Sequence, residues 1–171
     1  NYSGFVINGF SAGAQSGQSV SGAGDVNGDG LDDLIVGAHA NNPNGSSSGA
    51  STVVFGKADG TAVELSDIEA NSNFGGFVIN GASEGDYSGL SVSGAGDVNG
   101  DGLADLIVGA LYDDPNGSQS GASTVVFGKA DGTAVELSDI RSSSNSGGFV
   151  INGASASDYS GGSVSGAGDV N

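Results

Sequence analysis

Four oxygen-bearing side chains recur at fixed spacing in this chain. Asp25, Asn27, Asp29 and Asp33 occupy positions 1, 3, 5 and 9 of the stretch Asp25-Val26-Asn27-Gly28-Asp29-Gly30-Leu31-Asp32-Asp33. Side chains at positions 1, 3 and 5 can converge when a glycine at position 6 lets the chain turn sharply, and Gly30 is that glycine. Leu31, at position 7, offers its backbone carbonyl, and Asp33 closes the set. The arrangement returns as Asp97, Asn99, Asp101, the carbonyl of Leu103 and Asp105, and a third copy opens with Asp169 and Asn171. Such a loop can wrap a hard cation. All-oxygen, carboxylate-rich ligation favours calcium over zinc or copper, and magnesium tolerates multidentate protein cages poorly. Calcium is therefore the expected cofactor. The loop is not an EF-hand, which needs a bidentate acid at position 12, where this chain has Val36 and Val108, and helices on both sides. Asp32 is left out of the set because its counterpart is Ala104.

The competing reading is an Asp/Gly-rich hairpin tip that holds no metal. Electrostatics argue against it. Carboxylates ~5 Å apart repel by ~3 kcal/mol per pair at an effective dielectric near 20, so a loop without a cation should loosen or take up protons. The expected role is structural. Extracellular modules bind calcium at ~10⁻⁴–10⁻³ M, and calcium ~10-fold above Kd adds ~1.4 kcal/mol per site.

The rest of the composition narrows the function. The chain has 171 residues, 20 of them acidic and 3 basic, for a formal net charge of -17. Nucleic acid and anionic membrane surfaces suit the chain poorly as partners, since both need clustered positive charge, and a cationic partner or bound cations fit better. With no Cys there is no disulfide, thiolate metal site or thiol nucleophile. No apolar run approaches the ~18 residues of a membrane span. His39 is the only histidine and its counterpart is Leu111, so it reads as a packing or loop residue. No base recurs beside the many serines, which leaves a hydrolase triad without support. The carboxylate pairs Glu64/Asp67 and Glu136/Asp139 read as solvated turns.

The elements that must position the loops follow from a repeat. Gly-Phe-Val-Ile-Asn-Gly starts at Gly4, Gly76 and Gly148, a period of 72 residues, and segments 4–75 and 76–147 align without a gap at 57 of 72 identical positions. The differences gather at 10–18 against 82–90, 39–42 against 111–114, and 69–74 against 141–146. Each repeat holds four strand candidates, in the second copy 89–96, 105–110, 123–128 and 148–153, bounded by Gly and turn residues. Leu137-Ser138-Asp139-Ile140 suits a single helical turn. Leu-Ile-Val and Val-Val-Phe do not alternate with polar residues, so these strands should be covered on both faces. Small four-stranded antiparallel sheets, each covered by its neighbours, are the blades of a β-propeller. A β-sandwich explains the strands but not the strict period.

One segment carries a family resemblance: Tyr87-Ser88-Gly89, then Asp97-Val98-Asn99-Gly100-Asp101-Gly102-Leu103-Ala104-Asp105-Leu106-Ile107-Val108-Gly109-Ala110. It resembles the FG-GAP repeats of integrin α-subunit β-propellers and their bacterial relatives. Leu111 and His39 stand where that family has a proline, and Gln15 where it has an aromatic residue. The resemblance implies that the cation loop joins the innermost strand of a blade to the second. On that reading the chain is all-β, a propeller segment with complete blades at about 17–81 and 89–153 and partial blades at 1–10 and 160–171. Two blades cannot close a propeller. The expectation is that these blades belong to a longer chain, or that several copies complete a ring or an open array.

The function implied is that of a non-enzymatic, extracellular or cell-surface calcium-binding module for adhesion or recognition of a protein or glycan. Residues 39–42 and 111–114 are the candidate partner-facing loops. Two alternatives stand beside it: a structural repeat protein of a surface layer, sheath or filament, and the non-catalytic propeller segment of a larger secreted enzyme.

Overall fold

A computed structural model describes residues 4–70, 75–142 and 147–168. The chain forms two antiparallel four-stranded sheets built alike. In the first, β2 (Val20–Gly24), β3 (Asp33–Ala38), β4 (Ala50–Val54) and β6 (Gly76–Asn80) lie in the order β2-β3-β4-β6. In the second, β7 (Ser91–Gly96), β8 (Asp105–Ala110), β9 (Ala122–Val126) and β11 (Gly148–Asn152) repeat that order. Consecutive strands pair with consecutive strands, the arrangement of propeller blades.

The unbroken apolar runs are explained by what covers each face. In β3 and β4, Ile35 and Val53 point into one cluster with Phe77 and Ile79 of β6. Their neighbours Val36, Val54 and Val78 point into the opposite cluster. Successive side chains of a strand face opposite ways, so a sheet buried on both sides needs apolar residues at every position. The first cluster also holds Val92, Leu106, Val108 and Val126 of the second blade, and is the core between the blades. The second takes in Leu65 and Ile68 of the five-residue helix α1 (Leu65–Glu69), with Phe5 and Ile7 packed against it. Helix α2 (Leu137–Arg141) buries Leu137 and Ile140 in the same way. A helix this short has no stability of its own in water, and these paired apolar residues hold it.

Where β2 meets β7 the residues are small. A Cβ on Gly94 would lie 2.7 Å from the Gly22 carbonyl oxygen, so side chains would force these strands apart. At the outer edge, two short strands stitch each blade to the outer strand before it. β10 (Val135–Glu136) pairs in parallel with β6, Val135 opposite Ile79. β5 (Val63–Glu64) pairs in the same register with β1 (Ile7–Asn8). Asn8 Nδ2 donates to Glu64 Oε1 at 2.5 Å, and Asn80 Nδ2 to Glu136 Oε1 at 2.6 Å. Glu64 and Glu136 are therefore not on a solvated turn; they accept side-chain amides from the neighbouring outer strand. Among the described residues no helix is long and apolar enough to cross a membrane.

Candidate cation loops and a groove at the opposite end

The loop from Asp25 to Asp32 joins β2 to β3, and the loop from Asp97 to Ala104 joins β7 to β8. Each leaves its strand through an irregular register, at Gly22/Gly24 and Gly94/Gly96, as a β-bulge does when it re-aims a chain. Within the first loop the side chains turn onto backbone amides. Asp25 Oδ1 accepts the N–H of Gly28 at 2.7 Å and of Asp29 at 3.1 Å, and its Oδ2 accepts that of Gly30 at 2.9 Å. Asn27 Oδ1 accepts from Asp29 at 2.8 Å, and Asp29 Oδ1 from Leu31 at 2.8 Å. Gly28 and Gly30 hold φ of 78° and 87°, the left-handed region that glycine enters without strain. The second loop repeats these bonds through Asp97, Asn99 and Asp101.

Asp33 behaves differently. It is fully buried at the start of β3, where Oδ2 accepts the Val26 N–H at 2.8 Å and Oδ1 accepts the Gly56 N–H at 2.7 Å. One carboxylate thus fastens the loop to the end of β4. Asp105 does the same with Val98 and Gly128. The spacing of the loop marks Asp33 but says nothing of Gly56, which lies 23 residues on. Burial pushes the Asp33 carboxyl above its ordinary range, and the neighbouring carboxylates of Asp29 and Asp25 add to this. The Gly56 and Val26 amides pull the other way.

The structure therefore gathers Asp25, Asn27, Asp29, Leu31 and Asp33 in one loop, and Asp97, Asn99, Asp101, Leu103 and Asp105 in another. Asp169 and Asn171 lie outside the described residues. Among the described residues no three acidic or imidazole groups converge as a ligand set. The chemistry of the donors nevertheless suits a hard cation. All are oxygens, and among the described residues the ion pairs are Lys57–Asp59, Lys129–Asp131 and Arg141–Asp113, none of which compensates the loop carboxylates. Each loop also borders a cleft, of about 390 Å³ and 540 Å³, that recurs with the repeat.

The other end of the strands carries the differences between repeats. Ala38, Ala50 and Asn80 are aligned across the first sheet, as are Ala110, Ala122 and Asn152 across the second. The connections that follow them, 39–49, 81–90 and 111–121, thus share the end opposite the cation loops. The connections 81–90 and 111–121 enclose a groove of about 470 Å³ lined by Glu84, Asp86, Tyr87, Tyr112, Asp114 and Gln119, with Gly85 and Ser118. Those six stand where the first repeat has Ala12, Ala14, Gln15, Ala40, Asn42 and Ser47. An aromatic row crosses the site. His39 stacks on Tyr87 with centroids 5.8 Å apart, and Tyr112 meets Tyr87 edge-on at 5.2 Å and Tyr159 at 6.1 Å. His39 is buried, a packing residue, and burial lowers its pKa. Tyr87 and Tyr159 have φ of 53° and Gln119 of 57°, and the first-repeat counterparts Gln15 and Ser47 have 55° and 51°, so these left-handed turns belong to the repeat itself.

Beneath the row, Asp113 is buried and takes both terminal nitrogens of Arg141, Nη1 at 2.9 Å and Nη2 on its second oxygen. Asp86 lies beside them. Its carboxyl is pushed up to about 6 by burial and by the charges of Asp113 and Asp114, with Arg141 and the Ser83 amide opposing. The repeated sequence marked these loops as variable; the convergence of their side chains on one groove came only with the fold.

A comparison with curated proteins gives no match. The family model for the FG-GAP repeat matches residues 16–54 and 88–126, each running from the start of an inner strand through the cation loop to the third strand of a blade. The chain carries two FG-GAP repeats, in keeping with a β-propeller of the integrin α-subunit kind.

Proposed function

We propose that this chain is a calcium-clipped recognition module of the cell surface or extracellular space, with no catalytic role of its own. One observation supports the reading above the rest: two repeats that agree in their strands and in the oxygen donors of their cation loops differ where their side chains line a single groove. Selection for packing alone would leave no reason for six substitutions to share a cavity. The groove offers tyrosine faces, carboxylates and an amide, groups suited to contact with a protein or glycan, and adhesion or recognition is its natural use.

The cation loops serve the frame. Asp25, Asn27, Asp29, Asp33 and the Leu31 carbonyl would hold calcium in the first, and Asp97, Asn99, Asp101, Asp105 and the Leu103 carbonyl in the second. Bound calcium supplies charge neutralisation and no reaction step. Asp33 and Asp105 transmit that order to β4 and β9 through Gly56 and Gly128, while the groove lies at the far end of the same strands. Calcium titration followed by thermal melting tests the frame. The melting temperature should rise with calcium and fall with chelator; indifference to chelator overturns the calcium reading. Labelled protein on arrays of glycans and matrix proteins tests the groove. Binding lost in Tyr87→Ala/Tyr112→Ala and kept in Asp59→Ala supports it, and an array that cannot tell these proteins apart sinks it.

A further inference from the structure

The groove between 81–90 and 111–121 carries more negative charge than its turns require. Asp114 Oδ1 accepts the Gln119 N–H, and Asn42 Oδ1 accepts the Ser47 N–H at 2.6 Å in the first repeat. The turn at 114 therefore needs an oxygen and not a charge. The Asp86 N–H donates to the Ser83 carbonyl at 3.4 Å, and Ala14 closes the same turn on Ser11 at 3.3 Å without a carboxylate. Glu84 stands where the first repeat has Ala12. The charges of Glu84, Asp86 and Asp114 are thus surplus to the fold.

Among the described residues no cation of the chain is left to answer them. Arg141 gives both terminal nitrogens to Asp113, and Lys57 and Lys129 pair with Asp59 and Asp131 beside the cation loops. Asp86 is only 6% exposed yet lines the groove. Its Oδ2 accepts the Ser83 N–H at 3.1 Å, and its other oxygen makes no hydrogen bond among the described residues. Burial and the charge of Asp113 raise its carboxyl, a cost that a cation in the groove would remove. The tyrosines supply the walls. Tyr112 stands at 73° to Tyr87 and at 82° to Tyr159, so neighbouring rings meet as a corner. Ring faces attract cations, and ammonium groups are the ligands of such aromatic corners. Two walls near a right angle fit a rounded head group, whereas a flat guanidinium covers one face and leaves the other unused.

We propose that this groove binds an alkylammonium ion, its head set against Asp86, Asp114 and Glu84 and its adjoining methylenes against Tyr87 and Tyr112. The proposal rests on the reading of the groove as a recognition site and names the chemistry of what is recognised. An ammonium head donates three N–H bonds, and the carboxylates of the groove accept them. The methylene next to the nitrogen shares the positive charge and lies on a ring face without losing a hydrogen bond. The net charge of -17 gathers cations around the chain and turns carboxylates and phosphates away. Two sources present such a group, a free polyamine and the lysine side chain of a protein.

Calorimetric titration of the chain tests it, with putrescine and acetyl-lysine methylamide as probes and butanediol and guanidinium as controls. Both ammonium probes should bind, butanediol should not, and guanidinium should bind several-fold more weakly. Tighter binding of putrescine marks a free polyamine as the source, and acetyl-lysine methylamide bound as well or better marks a lysine side chain. Tyr112→Ala/Asp114→Asn returns both positions to the residues of the first repeat, Ala40 and Asn42, which fold in place there. This double variant should weaken binding about tenfold. Asp59→Asn changes the net charge by the same amount at the other end of the strands and should leave the affinity within about twofold. The proposal is overturned by silence from both ammonium probes, by butanediol or guanidinium bound as tightly as putrescine, or by Asp59→Asn weakening binding as much as the double variant. A chain that ignores the ammonium probes yet binds an array target through Tyr87 and Tyr112 keeps the recognition reading and loses this one.

Discussion

Asp113 and Arg141 replace Asn41 and Glu69, and both repeats keep a bonded pair at that position: Asn41 Nδ2 donates to Glu69 Oε1 at 3.1 Å. Two substitutions that look independent along the chain are one contact. Arg141→Glu would set a carboxylate against buried Asp113; because the Arg141 side chain is about a third exposed, the loss should fall below that of a fully buried pair, at about 2 kcal/mol. Adding Asp113→Asn rebuilds the pair of the first repeat and should recover the loss to within about 1 kcal/mol; urea melts of the single and double variants check this. Asp86 makes a prediction in pH. Its carboxyl, ordinarily near 3.8, stands at about 6 in the folded chain. Between those values the folded state holds more protons than the unfolded, so stability falls as pH rises through the window and the deficit is complete above about 6. Asp86→Asn keeps an acceptor for the Ser83 amide and removes the charge. The variant should gain about 2 kcal/mol on the unsubstituted chain above pH 7 relative to its standing near pH 4. Melts at the two pH values giving the same difference would refute it.

At the scale of elements, the cation loop and β4 are one mechanical unit through Asp33, as the second loop and β9 are through Asp105. Asp105→Asn leaves a single side-chain oxygen for the Val98 and Gly128 amides, so one part-buried donor loses its partner. That costs about 2 kcal/mol, and it should appear in denaturant melts run in chelator, where calcium plays no part. The strands themselves were legible in the chain, since Leu-Ile-Val and Val-Val-Phe can be buried on two faces only between stacked sheets. The loop residues were legible because their bonds within the loop span at most seven positions. The Gly56 amide, the parallel two-residue laps and the Asn–Glu bonds were not. Each joins segments more than twenty positions apart, and two residues of Val-Glu carry no periodicity to read. Glu64 and Glu136 looked like surface carboxylates for that reason. The groove was half legible: a repeat displays its own exceptions, but only the register of Ala38, Ala50 and Asn80 brings three loops to one end.

For the molecule as a whole, charge is the dominant long-range term. With three basic residues, all paired within their own neighbourhoods, the folded chain repels itself. Raising salt in chelator should lift the melting temperature by a few degrees; a flat response would refute the reading that self-repulsion limits stability. The identical outer strands have an effect on how faithfully the chain finds its fold. β4 must pair with β6, about twenty residues downstream, yet β11 offers it the same sequence about ninety residues away. Loop-closure entropy separates the two choices by only about 1.3 kcal/mol, so roughly one nascent pairing in ten recruits the wrong copy. Refolding from denaturant should then show a slow phase as these pairings are undone. Synthesis from the N-terminus, which presents β6 long before β11 exists, avoids it.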